Sequence, residues 1–219
     1  MIERERRIAE SPERKKAIET VLMNPVRRKL FEYVCRHPGV PLVRCAEKVG
    51  LSLNNAKWHL IKLAKANYIA MERAGRVNII YPREILDDEL IKILARVARM
   101  NADDVLNCIM ENGGISRHEI ERWLKMAPGR LGKITCSLEQ LGVINAIRDG
   151  RYVRYYPTGL LPGLKKSSRK RMRGFRSHIM KRFVSEGLQP AVIRADSTAL
   201  IVQIRSGREK RTINLQLGI

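Results

Sequence analysis

The chain has 219 residues, 44% of them hydrophobic, which is enough apolar material for packed cores and excludes wholesale disorder. No run of eighteen apolar residues occurs and residues 1–7 carry no hydrophobic signal core, so the expectation is a soluble, cytoplasmic, nucleoid-associated protein that does not enter a membrane. The net charge of +21 favours polyanions through counterion release from phosphates, which puts nucleic acid ahead of an anionic membrane surface as partner.

In chain order, Ser11-Pro12 is a cap and first-turn pair that predicts a helix running to Leu22, most of it in an N-terminal helical extension (1–20). The chain then repeats itself. Residues 25–82 align without a gap with residues 100–157, at a constant offset of 75. Gly39 meets Gly114, Leu63 meets Leu138 and Ile69 meets Ile144; Arg73, Gly75 and Arg76 meet Arg148, Gly150 and Arg151; Tyr81-Pro82 meets Tyr156-Pro157. The apolar classes agree too, Leu30 with Val105 and Val34 with Ile109 among them.

Each copy has one grammar. Asn24-Pro25 starts a helix striped by Leu30, Phe31 and Val34, which Pro38-Gly39 ends. A second helix over residues 42–49 is closed by Gly50, and Ser52 caps a third that runs to about Ala66. Strands around 68–71 and 77–81 flank a Gly75 turn. Three helices and a terminal hairpin make a winged helix-turn-helix. The fold class expected is mostly α with small β-wings: two tandem winged helix-turn-helix domains (21–82 and 100–157) joined by a connecting helix (83–99). A basic α+β domain (158–219) of one helix and a three-stranded antiparallel sheet follows.

Helical spacing puts Leu53, Ala56, Leu60 and Leu63 on the inner stripe of the third helix. Asn54, Asn55, Lys57, Trp58, Ile61, Lys62 and Lys65 lie on or beside the opposite face. An asparagine amide can pair with adenine in the major groove, and lysines suit phosphates. Two readings of Trp58 stay open: a thymine methyl or sugar-phosphate contact, or packing on the wing or a second subunit. His59, at the boundary of the stripe, reads as a partly buried histidine satisfied within the fold. Arg73 and Arg76 flank a flexible wing tip, where arginine suits a narrow minor groove.

The stretch from Asn24-Pro25-Val26-Arg27 through Leu51-Ser52-Leu53-Asn54-Asn55 to Trp58-His59-Leu60-Ile61-Lys62-Leu63 resembles archaeal winged-helix regulators. Residues 21–157 are similar to tandem regulators such as euryarchaeal archaellum-operon activators and factors that recruit TFB; residues 158–219 fall outside the resemblance. It implies an archaeal source, promoter DNA as partner and contact with the basal transcription machinery.

Charge separates the copies. Residues 21–82 hold eleven Lys/Arg against three Asp/Glu, residues 83–157 twelve against eleven. The first copy is therefore the expected DNA anchor. In the second, Gly129 and Gly132 weaken the third helix; it is read either as an interaction module or as a secondary DNA contact through Arg130, Lys133, Arg148, Arg151 and Arg154. Between the copies, Leu86, Leu90, Ile93, Leu94 and Val97 form a stripe that packs between modules or supports a homodimer.

After Pro157, residues 158–163 read as a linker. Residues 165–182 carry nine Lys/Arg, Arg169 and Arg173 among the candidate DNA contacts, around a Met172, Phe175, Ile179, Phe183 stripe. Strands are expected at 191–194, 199–205 and 212–217, with one apolar face for the helix to cover. The four cysteines read as buried reduced thiols, and no zinc spacing, phosphate loop or catalytic constellation is legible, so neither enzyme nor cofactor is expected. Two other classes stand beside the regulator: a non-specific architectural DNA binder, and an RNA-binding or protein-scaffolding winged-helix protein.

Overall fold

The repeat read from the sequence is a repeat of structure. In a computed structural model, which describes residues 20–218, the first copy comprises α1 (Pro25–Arg36), β1 (Val40–Pro41), α2 (Leu42–Val49), α3 (Leu53–Lys65), β2 (Ile69–Ala74) and β3 (Val77–Pro82). Next come α4 (Asp88–Met100), then the second copy: α5 (Asp103–Glu111), β4 (Ile115–Ser116), α6 (Arg117–Leu124), α7 (Pro128–Gln140), β5 (Ile144–Asp149) and β6 (Tyr152–Pro157). From β4 onward every boundary in the second copy is the first-copy boundary shifted by 75. The sheets share strand order, β1-β3-β2 and β4-β6-β5, and register, with Val40 opposite Ile80 and Ile115 opposite Tyr155.

Local chemistry explains the boundaries. Asn24 Oδ1 accepts from the N–H groups of Val26 and Arg27 at 3.0 and 3.1 Å, and Pro25 needs no partner at the first position. Gly39 stands at φ +83°, and a side chain there would meet Leu94 of α4 at 2.8 Å. Only glycine satisfies both conditions. The two-residue strands β1 and β4 have no counterpart in the sequence reading, because a pair of residues carries no readable period.

The helix expected over residues 11–22 lies outside the described residues except at its end, where Val21–Met23 forms a 3-10 turn. The connecting helix is α4, capped by Asp87, whose carboxylate accepts from Glu89 N–H at 3.1 Å. Leu86, Leu90, Ile93 and Val97 are buried within this chain and Leu94 is partly buried, so most of that stripe packs between elements of one chain.

The C-terminal segment corrects two expectations. Residues 158–163 are not a linker: α8 (Leu160–Lys170) begins there, with Pro162 tolerated in its first turn. The single basic helix is in fact two, because the chain turns at Arg171 before α9 (Met172–Ser185). Arg171 is fixed by donating to Leu86 O at 2.7 Å and pairing with Asp87 at 3.3 Å. Strands β7 (Gln189–Ala195), β8 (Ala199–Ser206) and β9 (Glu209–Gln216) form the expected antiparallel meander. Its apolar residues Leu200, Val202, Ile204, Ile213 and Leu215 are buried. The basic helix shares the task of covering them: α9 packs on β7, and α1 of the first winged helix packs on β9. The Asn214 N–H donates to Glu32 at 3.0 Å, the Gly218 N–H to Cys35 O at 3.1 Å, and the Val21 N–H to the buried Glu186 at 2.8 Å. Tyr68 stands between Phe31 and Phe183, ring centroids 5.4 and 6.1 Å away. One apolar core thus runs from the first winged helix into the C-terminal sheet.

Cys35, Cys45 and Cys108 are buried free thiols, with Cys45 pushed up to about 12 by burial; Cys136 is exposed, contrary to expectation, on the outer side of α7. No helix among the described residues is long and apolar enough to cross a membrane.

Candidate nucleic-acid interface

The helix-turn-helix of the first copy is α2, the Gly50 turn and α3. Ser52 Oγ accepts from the Asn55 N–H at 3.4 Å, so this hydroxyl serves the cap of α3. Ala56, Leu60 and Leu63 are fully buried against the neighbouring helices. Leu53 is not: it is 46% exposed in the first turn, beyond the reach of α1 and α2, and joins the outer face.

Asn54, Asn55 and Lys57 are exposed, and no side-chain bond holds them among the described residues. Trp58 is 52% exposed, and the Lys62 ammonium stands 5.5 Å from its ring centre. The Trp58 ring meets Lys62 and, edge-on, His59. His59 is buried as expected, but its Nδ1 has no partner among the described atoms, and burial with nearby Arg27 holds its pKa below the usual value. The face that α3 presents to solvent holds two amides, an indole and several ammonium groups, with Leu53 and Ile61 exposed among them.

The first wing is more braced than a flexible tip. Arg73 Nε donates to Gly75 O at 3.0 Å, and a Cβ at Gly75 would lie 2.8 Å from Arg99 of α4. Arg76 is exposed beside it. Sequence reasoning does not reach Arg99, because it lies just outside the repeat and nothing local marks it; only the packing of α4 on the hairpin brings it to the wing.

The next residue ties in the second copy. Met100 lines a cleft of about 400 Å³ together with Arg130, Lys133, Ile134 and Ser137 of α7. The end of α4 thus carries Arg99 against the first wing and Met100 against the third helix of the second copy. Arg99 stands at the wing that carries Arg73 and Arg76, while Arg130 and Lys133 line the cleft with Met100. The helix α7 is continuous despite Gly129 and Gly132, with Arg117 donating to Pro128 O at 2.7 Å across its start.

The remaining candidates are not gathered there by any described contact. Arg148 is exposed at the second wing, Arg151 lies 5.1 Å from the Tyr152 ring, and Arg154 is engaged by Asp149 at 2.6 Å and Gly114 O at 3.0 Å. Arg169 and Arg173 are exposed on α8 and α9, helices that pack on α4 and β7.

No protein-family profile matches the chain. It is similar, at 26% identity over 152 residues, to a protein of Methanocaldococcus jannaschii named an uncharacterized HTH-type transcriptional regulator. The likeness covers 63% of this chain and 34% of that protein, so the chain spans about a third of the length of the curated relative it matches.

Proposed function

We propose that the chain is a sequence-specific, double-stranded DNA-binding transcription regulator, with α3 in the major groove and the first wing near the minor groove. The observation that carries the reading is the solvent face of α3, where unpartnered amides precede a run of lysines on a helix whose other face is buried. Amides at the start of such a helix suit base edges, and ammonium groups farther along suit phosphates. The charge of residues 21–82 makes the first copy the main reader. Arg99, Arg130 and Lys133 extend its basic surface toward the second copy, which acts as an assistant. The similar archaeal protein supports the reading, with promoter DNA as partner.

Binding-site selection tests it. Asn54→Ala and Asn55→Ala should each relax preference at one position by roughly 1–3 kcal/mol, while Lys62→Ala and Arg76→Ala weaken binding to every sequence alike. If both asparagine variants select the same sites as the parent, the assignment of α3 is wrong. Equal affinity of the parent for random duplexes would assign a non-specific architectural binder instead.

A further inference from the structure

We propose that the cleft where both winged helices meet α4 and α8 binds a small organic anion with an apolar body. The cleft has a volume of about 680 Å³, within the range of small-molecule pockets, and it lies at a junction between structural units, where such pockets concentrate. Its lining comes from α1 and α2 of the first copy, α5 of the second, and α4 and α8. Leu90, Leu94, Leu106 and Met110 supply an apolar floor.

The charges around that floor are divided. On one wall Arg44 reaches across from the first copy to Asp104 of the second, with both carboxylate oxygens at 3.2 and 3.3 Å, and Asp103 shares the same guanidinium field. That wall, which also holds Glu47, sets three carboxylates against one guanidinium. Elsewhere Arg36, Lys48 and Lys165 line the cleft, and no hydrogen bond or ion pair engages the Lys165 ammonium among the described residues. Lys165 is half-buried in mid-helix, and the charge that acts on it is Arg169, of the same sign. Burial and Arg169 hold its pKa below the usual lysine range, and burial, Arg36 and Lys48 do the same to His37. In both cases burial is the larger cause and the neighbouring like charge the smaller.

A desolvated ammonium beside an apolar surface is costly unless an anion joins it. A carboxylate or sulfonate would supply that partner, while the attached hydrocarbon would displace water from the leucine floor. A neutral ligand would leave the ammonium unmatched. The occupant would touch both winged helices at once, because the cleft has walls from each.

The test uses the full chain and two fluorescent probes: anilinonaphthalene sulfonate, and phenylnaphthylamine, which has the same body without the sulfonate. The sulfonate should fill one saturable site per chain and bind at least roughly tenfold more tightly than the neutral probe, as expected for one charge-assisted contact. Lys165→Gln should abolish that preference and Lys165→Arg should keep it; Lys210→Ala, on the exposed end of β9, should leave it unchanged. Lys165→Ala provides a second reading, and circular dichroism melts confirm that each variant is folded. Equal binding of the two probes, or a sulfonate titration indifferent to both Lys165→Gln and Lys165→Ala, would overturn the proposal.

Discussion

The two winged helices are the same backbone used on different terms, and the outer faces of their hairpins show it most directly. Cross-strand pairing puts Ala70, Glu72, Ala74, Val77, Ile79 and Tyr81 on one side of the first hairpin, and Asn145, Ile147, Asp149, Tyr152, Arg154 and Tyr156 on the same side of the second. The first face is roofed. The helix α4 lies along β2 and β3, small alanines admit it, and Ile79 is fully buried. The second face is bare, with Ile147, Tyr152 and Tyr156 at 52, 43 and 37% exposure. The helix that follows the second hairpin, α8, packs on α4 instead of on the strands before it. Duplication therefore preserved the elements and their register, while the helix after each copy took a different course. A winged helix gains or loses a free sheet face by where its next helix goes, and the residues of that face differ to match: Ala70, Ala74 and Ile79 in the first copy stand where the second has Asn145, Asp149 and Arg154.

The largest expected effect tests this contrast. Ile79→Lys places an ammonium under α4 with no partner, and should cost on the order of 4 kcal/mol of stability. Ile147→Lys, the same change at the exposed isoleucine of the second hairpin's outer face, should alter stability by no more than about 0.5 kcal/mol. Urea denaturation midpoints at constant slope measure both. Similar losses would mean that the second face is covered as the first is, and the contrast would fail.

The next effect is electrostatic, and rests on the proposed DNA reading. Replacing Lys57, Lys62 and Arg76 together by alanine should lower the slope of log affinity against log salt by roughly 2.7, at about 0.9 for each phosphate no longer neutralised. The triple replacement of Arg130, Lys133 and Arg148 should lower it by less than half as much, since the second copy is an assistant. Equal drops measured over a salt series would make the copies equal partners on DNA.

What the sequence made legible follows from the range of each signal. Apolar periodicity, caps and turn glycines are local, and the offset of 75 let each copy vouch for the other; hence α2, α3 and both wings were placed closely. The buried stripe of α3 was legible for the same reason, except at Leu53, where burial depends on how far α1 extends. Relations between units were not legible. That α1 covers the C-terminal sheet through Glu32 and Cys35, or that Arg99 lands on the wing, is decided by packing between residues far apart in the chain. Pro162-Gly163 misled because punctuation in a first helical turn resembles punctuation in a linker.

The smallest effect concerns the helix whose glycines suggested weakness. The helix α7 spans the same thirteen residues as α3 once shifted, so the glycines have not shortened it. They differ in surroundings: the guanidinium of Arg117, itself paired with Glu121 at 2.9 Å, lies 3.5 Å from where a Cβ on Gly132 would stand, whereas a Cβ on Gly129 meets nothing within 4 Å. Gly129 also has an ordinary helical φ, so alanine there removes backbone freedom from the unfolded chain and adds no strain to the folded one. Gly129→Ala should raise stability by roughly 0.4–1 kcal/mol. Gly132→Ala should gain less, because its methyl would stand in van der Waals contact with the arginine that clamps the start of α7 and restrict that side chain. Thermal melts of the two single variants decide the order, and a larger gain at Gly132 would show that the Arg117 clamp adds little to that helix.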